Sequence, residues 1–372
     1  MFRSTLIGIL FAFFYGEDAL AQNTLPHDIE LQINERILEG HHQGLIIGYL
    51  DQSGTKYYGF GKVSPTSGAV PTENSVFEIG SLTKGFTALL IADLGLDINE
   101  NLDVYVPELK GISEQIGKPI TMESLLTHTA GLRRDPTNVT RNDANRYSDY
   151  SVADLEEFLR GYTDGEFKPQ YSYSNVGFAV LEHAIEKKTG ATYEALLADH
   201  VFQELGMTNT YINVPISAQE RMVTGFNRGR TPDAIDTGLF PAMGGVLSTA
   251  RDMLAYLNVH IGLEPSRLNS AAIQTHQQIY QDEKYTLSSG WRIMKRPETE
   301  QTIYHFSGGT NGFRSFVAFD RDNQKAVVVL VSGSGWFSDL GFKLLDPTYP
   351  LNDPDPVDPP SFWERFLEWL AS

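Results

Sequence analysis

The stretch Ala326-Val327-Val328-Val329-Leu330-Val331-Ser332 does most to narrow what this chain can fold into. A strand with no polar face has to be covered on both sides, so it belongs in the middle of a sheet with a layer on each face. Trp291–Met294, Thr302–Phe306 and Phe313–Phe319 are also strand-like and lie close by in the sequence. Two further β-rich runs, Leu45–Leu50 and Tyr57–Val63, sit near the other end of the chain, with the hairpin chemistry of Asp51-Gln52-Ser53-Gly54 between them. Helical patterns fill the middle. Phe86, Leu89 and Leu90 follow Ser81 at helical spacing, and Thr121–Leu126 has a capped start. Val152–Leu159 is amphipathic, Val176–Thr189 ends at Gly190, and Tyr193–Leu205 stops at Gly206. The expected fold class is α/β of the α+β type. A mainly antiparallel sheet flanked by helices is assembled from both chain ends, with an all-helical domain inserted between them. In segments, 1–21 precedes a sheet domain of 22–84 plus 240–345, and 85–239 is mainly helical.

The chain has 372 residues, 29 Lys+Arg against 47 Asp+Glu, and a formal net charge of −18. Nucleic-acid affinity rests on Lys and Arg neutralising phosphates, so no nucleic-acid partner is expected. The absence of cysteine excludes disulfides, thiolate metal sites and a cysteine nucleophile together.

Residues 1–21 read as a secretory signal. Arg3 supplies the positive start, Leu6–Tyr15 is an apolar run, and Ala19-Leu20-Ala21 is a small-x-small cleavage site. The run is shorter than the ~20 residues of a membrane span. A periplasmic or secreted protein cut after Ala21, with no transmembrane span in the mature chain, is the expectation. At the other end, the proline-dense segment 346–360 reads as a stiff linker. The segment 361–372 reads as an amphipathic helix with Phe362, Trp363, Phe366, Leu367 and Leu370 on one face, docking on the protein itself or on a protein partner.

Two Ser-x-x-Lys strings carry the first chemical signal. Ser53-Gly54-Thr55-Lys56 lies in the hairpin, where neighbouring side chains diverge. Ser81-Leu82-Thr83-Lys84 enters a helix, where residues three apart share a face and the Lys84 amine can reach the Ser81 hydroxyl. A serine becomes nucleophilic when a neighbour takes its proton, and a helix N-terminus favours the developing negative charge. Tyr173-Ser174-Asn175 then opens a second helix, and a tyrosine held near a lysine can shuttle protons. His305-Phe306-Ser307-Gly308-Gly309-Thr310-Asn311-Gly312-Phe313 is a strand end whose glycines let a substrate backbone approach closely.

In this order the three motifs resemble those of the serine β-lactamase and penicillin-binding DD-peptidase superfamily, in its class C-like branch. Leu125-Leu126-Thr127-His128-Thr129-Ala130-Gly131-Leu132 is similar to a further stretch of that branch. The resemblance runs from about residue 40 to 340. It implies Ser81 as acylated nucleophile, Lys84 as its base partner and Tyr173 as proton relay. It also implies Asn175, His305, Ser307, Gly308 and Gly309 as substrate-binding residues, and the backbone N–H groups of Ser81 and Gly309 as oxyanion hole. The implied substrate is a small molecule or peptide, such as a peptidoglycan fragment or a β-lactam. The family cation normally stands two places before the first glycine. Here Phe306 occupies that place and His305 lies one residue back, on the opposite face of a regular strand. Either a bulge restores His305 to the site or the site lacks this cation, with Arg314 as a conceivable substitute.

No cofactor and no metal is expected. No serine sits in a Gly-x-Ser-x-Gly elbow and no His-Glu-x-x-His pair occurs. The adjacent His41-His42 reads as a solvated loop, and His128 as a loop brace. The functional expectation is an exported serine hydrolase acting through an acyl-enzyme on an amide or ester, of β-lactamase or D-alanyl-D-alanine peptidase type. The alternatives are a small-ester hydrolase of the same fold and a non-catalytic protein that senses peptidoglycan or β-lactam.

Overall fold

The computed structural model describes residues 24–139, 145, 147–162, 170–335 and 337–352. The leader 1–21 and the helix 361–372 expected from sequence lie outside the described residues. The strands are β1 (His42–Asp51), β2 (Gly54–Gly61), β3 (Phe77–Glu78), β4 (Leu247–Ser248), β5 (Tyr280–Gln281), β6 (Thr286–Ser288), β7 (Trp291–Arg296), β8 (Gln301–Gly309), β9 (Phe313–Asp320) and β10 (Lys325–Gly333). Eight of them form one antiparallel sheet in the order β2-β1-β10-β9-β8-β7-β6-β5, while β3 and β4 pair separately. The all-apolar run is indeed central. β10 lies between β1, nearly three hundred residues earlier, and β9.

Alternation along β10 divides the core in two. Val327, Val329 and Val331 face the helices His27–Leu38 and Ser338–Leu345, with Ile29, Ile33, Phe316, Leu340 and Phe342. Ala326, Val328 and Leu330 face the other way, toward the helix Ala250–Ile261 and the helical region, with Phe86, Leu254 and Phe319. Arg36 and Asp339 join the two helices of the first layer through a doubly bonded, fully buried ion pair at 2.9 and 2.6 Å. Leaving either partner alone in such a place costs about 3–5 kcal/mol, so this layer is closed as a unit.

The helical region holds the capped helix Met122–Leu126, where the Thr121 side chain accepts from Ser124 N. It also holds Val152–Arg160 and Asn175–Thr189, the latter ending at Gly190 with φ +74°. Tyr193–Leu205 is not one regular helix. The α-turns stop at Leu197 and residues Ala198–Phe202 continue with wider π-type hydrogen bonds. Two further expectations need correction. His41 and His42 are buried, and His42 opens β1 rather than a solvated loop. The expected stiff linker begins instead as packed chain over residues 346–352: the Asp346 carboxylate accepts from Arg296 at 2.8 Å, Tyr349 stacks on Phe342, and the Asn352 carbonyl accepts from Arg36. Among the described residues no helix is long and apolar enough to cross a membrane.

Candidate active site

Ser81 sits in the 3-10 turn Gly80–Leu82 that runs into the helix Thr83–Asp93. The turn is held from several sides. Thr83 Oγ1 donates to the Gly80 carbonyl at 2.7 Å and accepts from Val246 N, while Ile79 N donates to the Val246 carbonyl. Gly80 has φ +51°, and a Cβ there would come within 2.8 Å of Gly309 N and O. Only glycine combines that conformation with so close a strand. From this turn Lys84 extends one helical step beyond Ser81, with no exposed surface at all.

Tyr173 arrives from the loop before Asn175–Thr189, a helix whose N-cap is Ser174. The Ser174 hydroxyl accepts from Gly177 N at 2.9 Å and donates to the Arg133 carbonyl at 2.6 Å. Beneath it, His128 accepts from Ser174 N at 3.1 Å and its ring lies 4.4 Å from that of Tyr173 and 5.4 Å from Phe178. Burial, then the charges of Lys84 and Arg292, push the His128 imidazole down to about 3, so it stays neutral as the acceptor this contact requires. His128 is a brace.

Three predicted groups therefore meet. The Ser81 Oγ and Tyr173 Oη are 2.6 Å apart, and Lys84 Nζ lies 3.4 Å from Ser81 Oγ. Lys84 Nζ also donates to Asn175 Oδ1 at 3.1 Å and to the Met243 carbonyl. An ammonium has three donors, and three oxygens surround this one. Asn175 is fixed in turn, its Nδ2 donating to Asp135 at 2.8 Å. Burial alone would push the Tyr173 phenol up. The nearby Lys84 charge, the hydrogen bond with Ser81 and the Arg134 charge outweigh it and hold Tyr173 below the usual tyrosine value. The Arg134 guanidinium lies 4.9 Å over the Tyr173 ring.

The cleft in front of these groups measures about 630 Å³ and is lined on its far side by Phe306, Ser307, Gly309, Thr310 and Arg314. Gly308 lies against the serine turn: a Cβ there would meet Ile79 O at 2.1 Å, Ser315 Oγ at 2.3 Å and Ser81 N at 3.1 Å. Ser81 and Gly309 thereby line the same cleft.

His305 is not part of this group. β8 keeps a regular register against β9, with Phe306 opposite Val317 and His305 opposite Ala318. Side-chain alternation turns Phe306 to the cleft and His305 to the opposite layer, its ring 4.9 Å from Phe342. Burial, then Arg292, holds that imidazole down to about 3. The expectation that His305 binds substrate is corrected on these grounds. Positive charge reaches the cleft instead through Arg314, the substitute that the sequence offered, and through Arg134 and Arg292, which the motifs did not single out. Arg292 donates to the Tyr171 hydroxyl at 3.0 Å and lies 5.0 Å over the Tyr285 ring. Arg314 is half-buried and donates to the carbonyls of Thr310 and Phe313. The Met243 carbonyl, from a turn far along the chain, was also beyond sequence reasoning, since any residue type supplies a carbonyl.

A buried lysine, a phenol of lowered pKa and a serine at a helix entrance form the constellation of a serine hydrolase that works by acyl transfer. The family model described as Beta-lactamase matches residues 31–343, and the chain belongs to that family. Among curated relatives, it is 26% identical over 317 residues to the D-alanyl-D-alanine-carboxypeptidase/endopeptidase AmpH of Escherichia coli (strain K12), covering 78% of this chain and 80% of that protein. It is 24% identical over 310 residues to a β-lactamase of Providencia stuartii, covering 73% and 78%. The class C β-lactamase structure from Rhodobacter sphaeroides superposes with a TM-score of 0.72 at 24% identity, over 82% of this chain and 94% of that one.

Proposed function

We propose that the protein cleaves amides of the β-lactam or D-alanyl-D-alanine peptide kind through an acyl-enzyme on Ser81. The observation that carries this is the triangle of Ser81 Oγ, Tyr173 Oη and Lys84 Nζ. Tyr173, with its phenolate favoured by the Lys84 charge, takes the Ser81 proton while Lys84 Nζ holds the Ser81 oxygen in place. Ser81 Oγ adds to the carbonyl, and the resulting oxyanion is held by the N–H groups of Ser81 and Gly309. Collapse expels the amine, which receives the proton from Tyr173, and water then hydrolyses the ester on Ser81. Asn175 and Ser307 flank the acyl side and the strand edge. Substrates of this kind carry a carboxylate, and with Phe306 in the cation's place on β8 the counter-charge falls to Arg314 and Arg292. Export through residues 1–21 belongs to the same proposal.

The buried Phe306 side chain at the cleft favours a second reading, hydrolysis of small uncharged esters by the same machinery. The test is labelling with a fluorescent penicillin and with a fluorophosphonate, using Ser81→Ala as control, followed by turnover of nitrocefin, D-Ala-D-Ala peptides and p-nitrophenyl acetate. Penicillin labelling lost in Ser81→Ala, with turnover of either amide substrate, supports the first reading. Turnover of the ester alone supports the second. No labelling by either probe defeats both and leaves a non-catalytic binding protein.

A further inference from the structure

Glu182 is a carboxylic acid in the buried run Phe178–Ile185 of the helix Asn175–Thr189, where its neighbour His183 is the one other polar side chain. It is 2% exposed and no cation pairs with it among the described residues. Its Oε2 accepts from Ala242 N at 2.8 Å. Ala242 is the middle residue of the tight turn Pro241–Met243, and the next residue, Met243, offers the carbonyl that accepts from Lys84 Nζ. The turn continues into Gly244 and Gly245, whose N–H groups both donate to the Pro241 carbonyl, and then into Val246, which is bonded to Thr83 and Ile79. One side of the serine turn and one ligand of the lysine therefore hang on a segment whose middle N–H is held by Glu182.

We infer that Glu182 is a positioning residue for Lys84: its carboxyl fixes the Pro241–Met243 turn so that the Met243 carbonyl holds the lysine amine beside Ser81 and Tyr173. This rests on the role proposed for Ser81 and Lys84. A leucine or methionine would fill the same apolar space more cheaply, because an unpaired buried carboxyl is costly. Burial pushes the Glu182 carboxyl well up, and neighbouring Glu186 adds to this, so the neutral form is favoured. The groups around it are Glu186 on its own helix and Tyr193, whose hydroxyl bonds Thr87 on the nucleophile's helix at 2.7 Å.

The experiment compares Glu182→Gln, which keeps an oxygen at the same reach, with Glu182→Met, which keeps the volume and loses the acceptor. Acylation of full-length protein is followed across pH by stopped-flow with a fluorophosphonate or a chromogenic substrate. Glu182→Met is expected to lower the acylation rate constant roughly tenfold at unchanged KM, the worth of one lost hydrogen bond. It is also expected to move the acid limb of the rate profile to higher pH, because Tyr173 loses part of the Lys84 charge that lowers it. Glu182→Gln stays near wild type in both. A folded Glu182→Met with unchanged rate and limb overturns the inference, as does Glu182→Gln falling equally far. If Glu182→Met fails to fold, Glu182→Asp, one methylene too short to reach Ala242 N, takes its place under the same criteria. Ser81→Ala and Lys84→Met run in parallel. Activity retained in those two defeats the proposed function, whereas activity lost in them and kept in Glu182→Met defeats this inference alone.

Discussion

Replacing Gly308 by alanine tests the proposed oxyanion hole without touching any side chain of the proposed reaction. The added methyl would sit 2.1 Å from the Ile79 carbonyl oxygen and 2.3 Å from Ser315 Oγ, where carbon–heavy-atom contacts settle near ~3.5 Å. Neither neighbour is free to give way. The Ile79 carbonyl already accepts from Ser315 Oγ at 2.7 Å, and it belongs to the residue before the serine turn. β8 must therefore retreat from Ser81 by roughly 1 Å, enough to cost about 10²-fold through misplacement alone. Gly309 N retreats with it, and removing one oxyanion donor is worth about 10²–10³ in kcat. The expected outcome is a loss of kcat/KM of about 10² or more on an ester or amide substrate, with a stability cost of about 1–3 kcal/mol for overpacking. Gly309→Ala is the internal comparison, since the nearest atoms to its methyl belong to the Arg314 side chain, at 3.3 Å and beyond, and a far smaller loss follows. Steady-state kinetics with thermal melts measures both. A Gly308→Ala enzyme as active as wild type would show that β8 does not abut the serine turn as described.

Two further outcomes follow from the charges. Arg134→Gln removes a cation that helps hold the Tyr173 phenol down, so the Tyr173 pKa rises and the acid limb of the kcat/KM profile moves to higher pH, read from rates between pH 5 and 10. Stability depends on pH through the buried imidazoles. His305, with its pKa depressed to about 3, stays neutral in the folded state while the unfolded chain takes up a proton below about 6.5. Its contribution to stability is complete above the unfolded value and is lost as pH falls from there toward 3. His305→Phe should flatten the stability curve in that window by up to about 1.4 kcal/mol per pH unit, measured by urea unfolding at several pH values, while kcat/KM at neutral pH is retained. Loss of activity in this variant at full stability would return His305 to the cleft.

Much of the reacting centre was legible because it follows local rules. Ser81 and Lys84 share a face since they are three apart at a helix entrance, whereas Ser53 and Lys56 diverge around the β1–β2 turn. Ser174 announced its helix as an N-cap. The strands of both chain ends could be read from β-branched runs and alternation, and the one-residue offset of His305 was visible against the glycines. What stayed hidden depends on pieces brought together from afar. The Met243 carbonyl has no sequence signature, and Glu182 reads as a polar interruption of an apolar helix until Ala242 lies beside it. Arg134 and Arg292 are ordinary polar residues in the sequence until the chain has closed around the cleft, whereas Arg314 stands beside the glycines as a conceivable cation. The π-turns at Ala198–Phe202 are a tertiary adjustment that helical periodicity does not register.

The pairing of β1 with β10 bears on how such a chain is made. From a ribosome, the hairpin of β1 and β2 emerges with one edge bare and keeps it bare until some 270 further residues have followed, since His42 waits for Gly333. Contacts so distant in sequence slow the search for the native state, and the interval leaves a sticky apolar ribbon open to other chains. Shortening the gene from its 3′ side past residue 325 would remove the partner of that hairpin altogether, so such fragments should accumulate as aggregates and not as a smaller folded half.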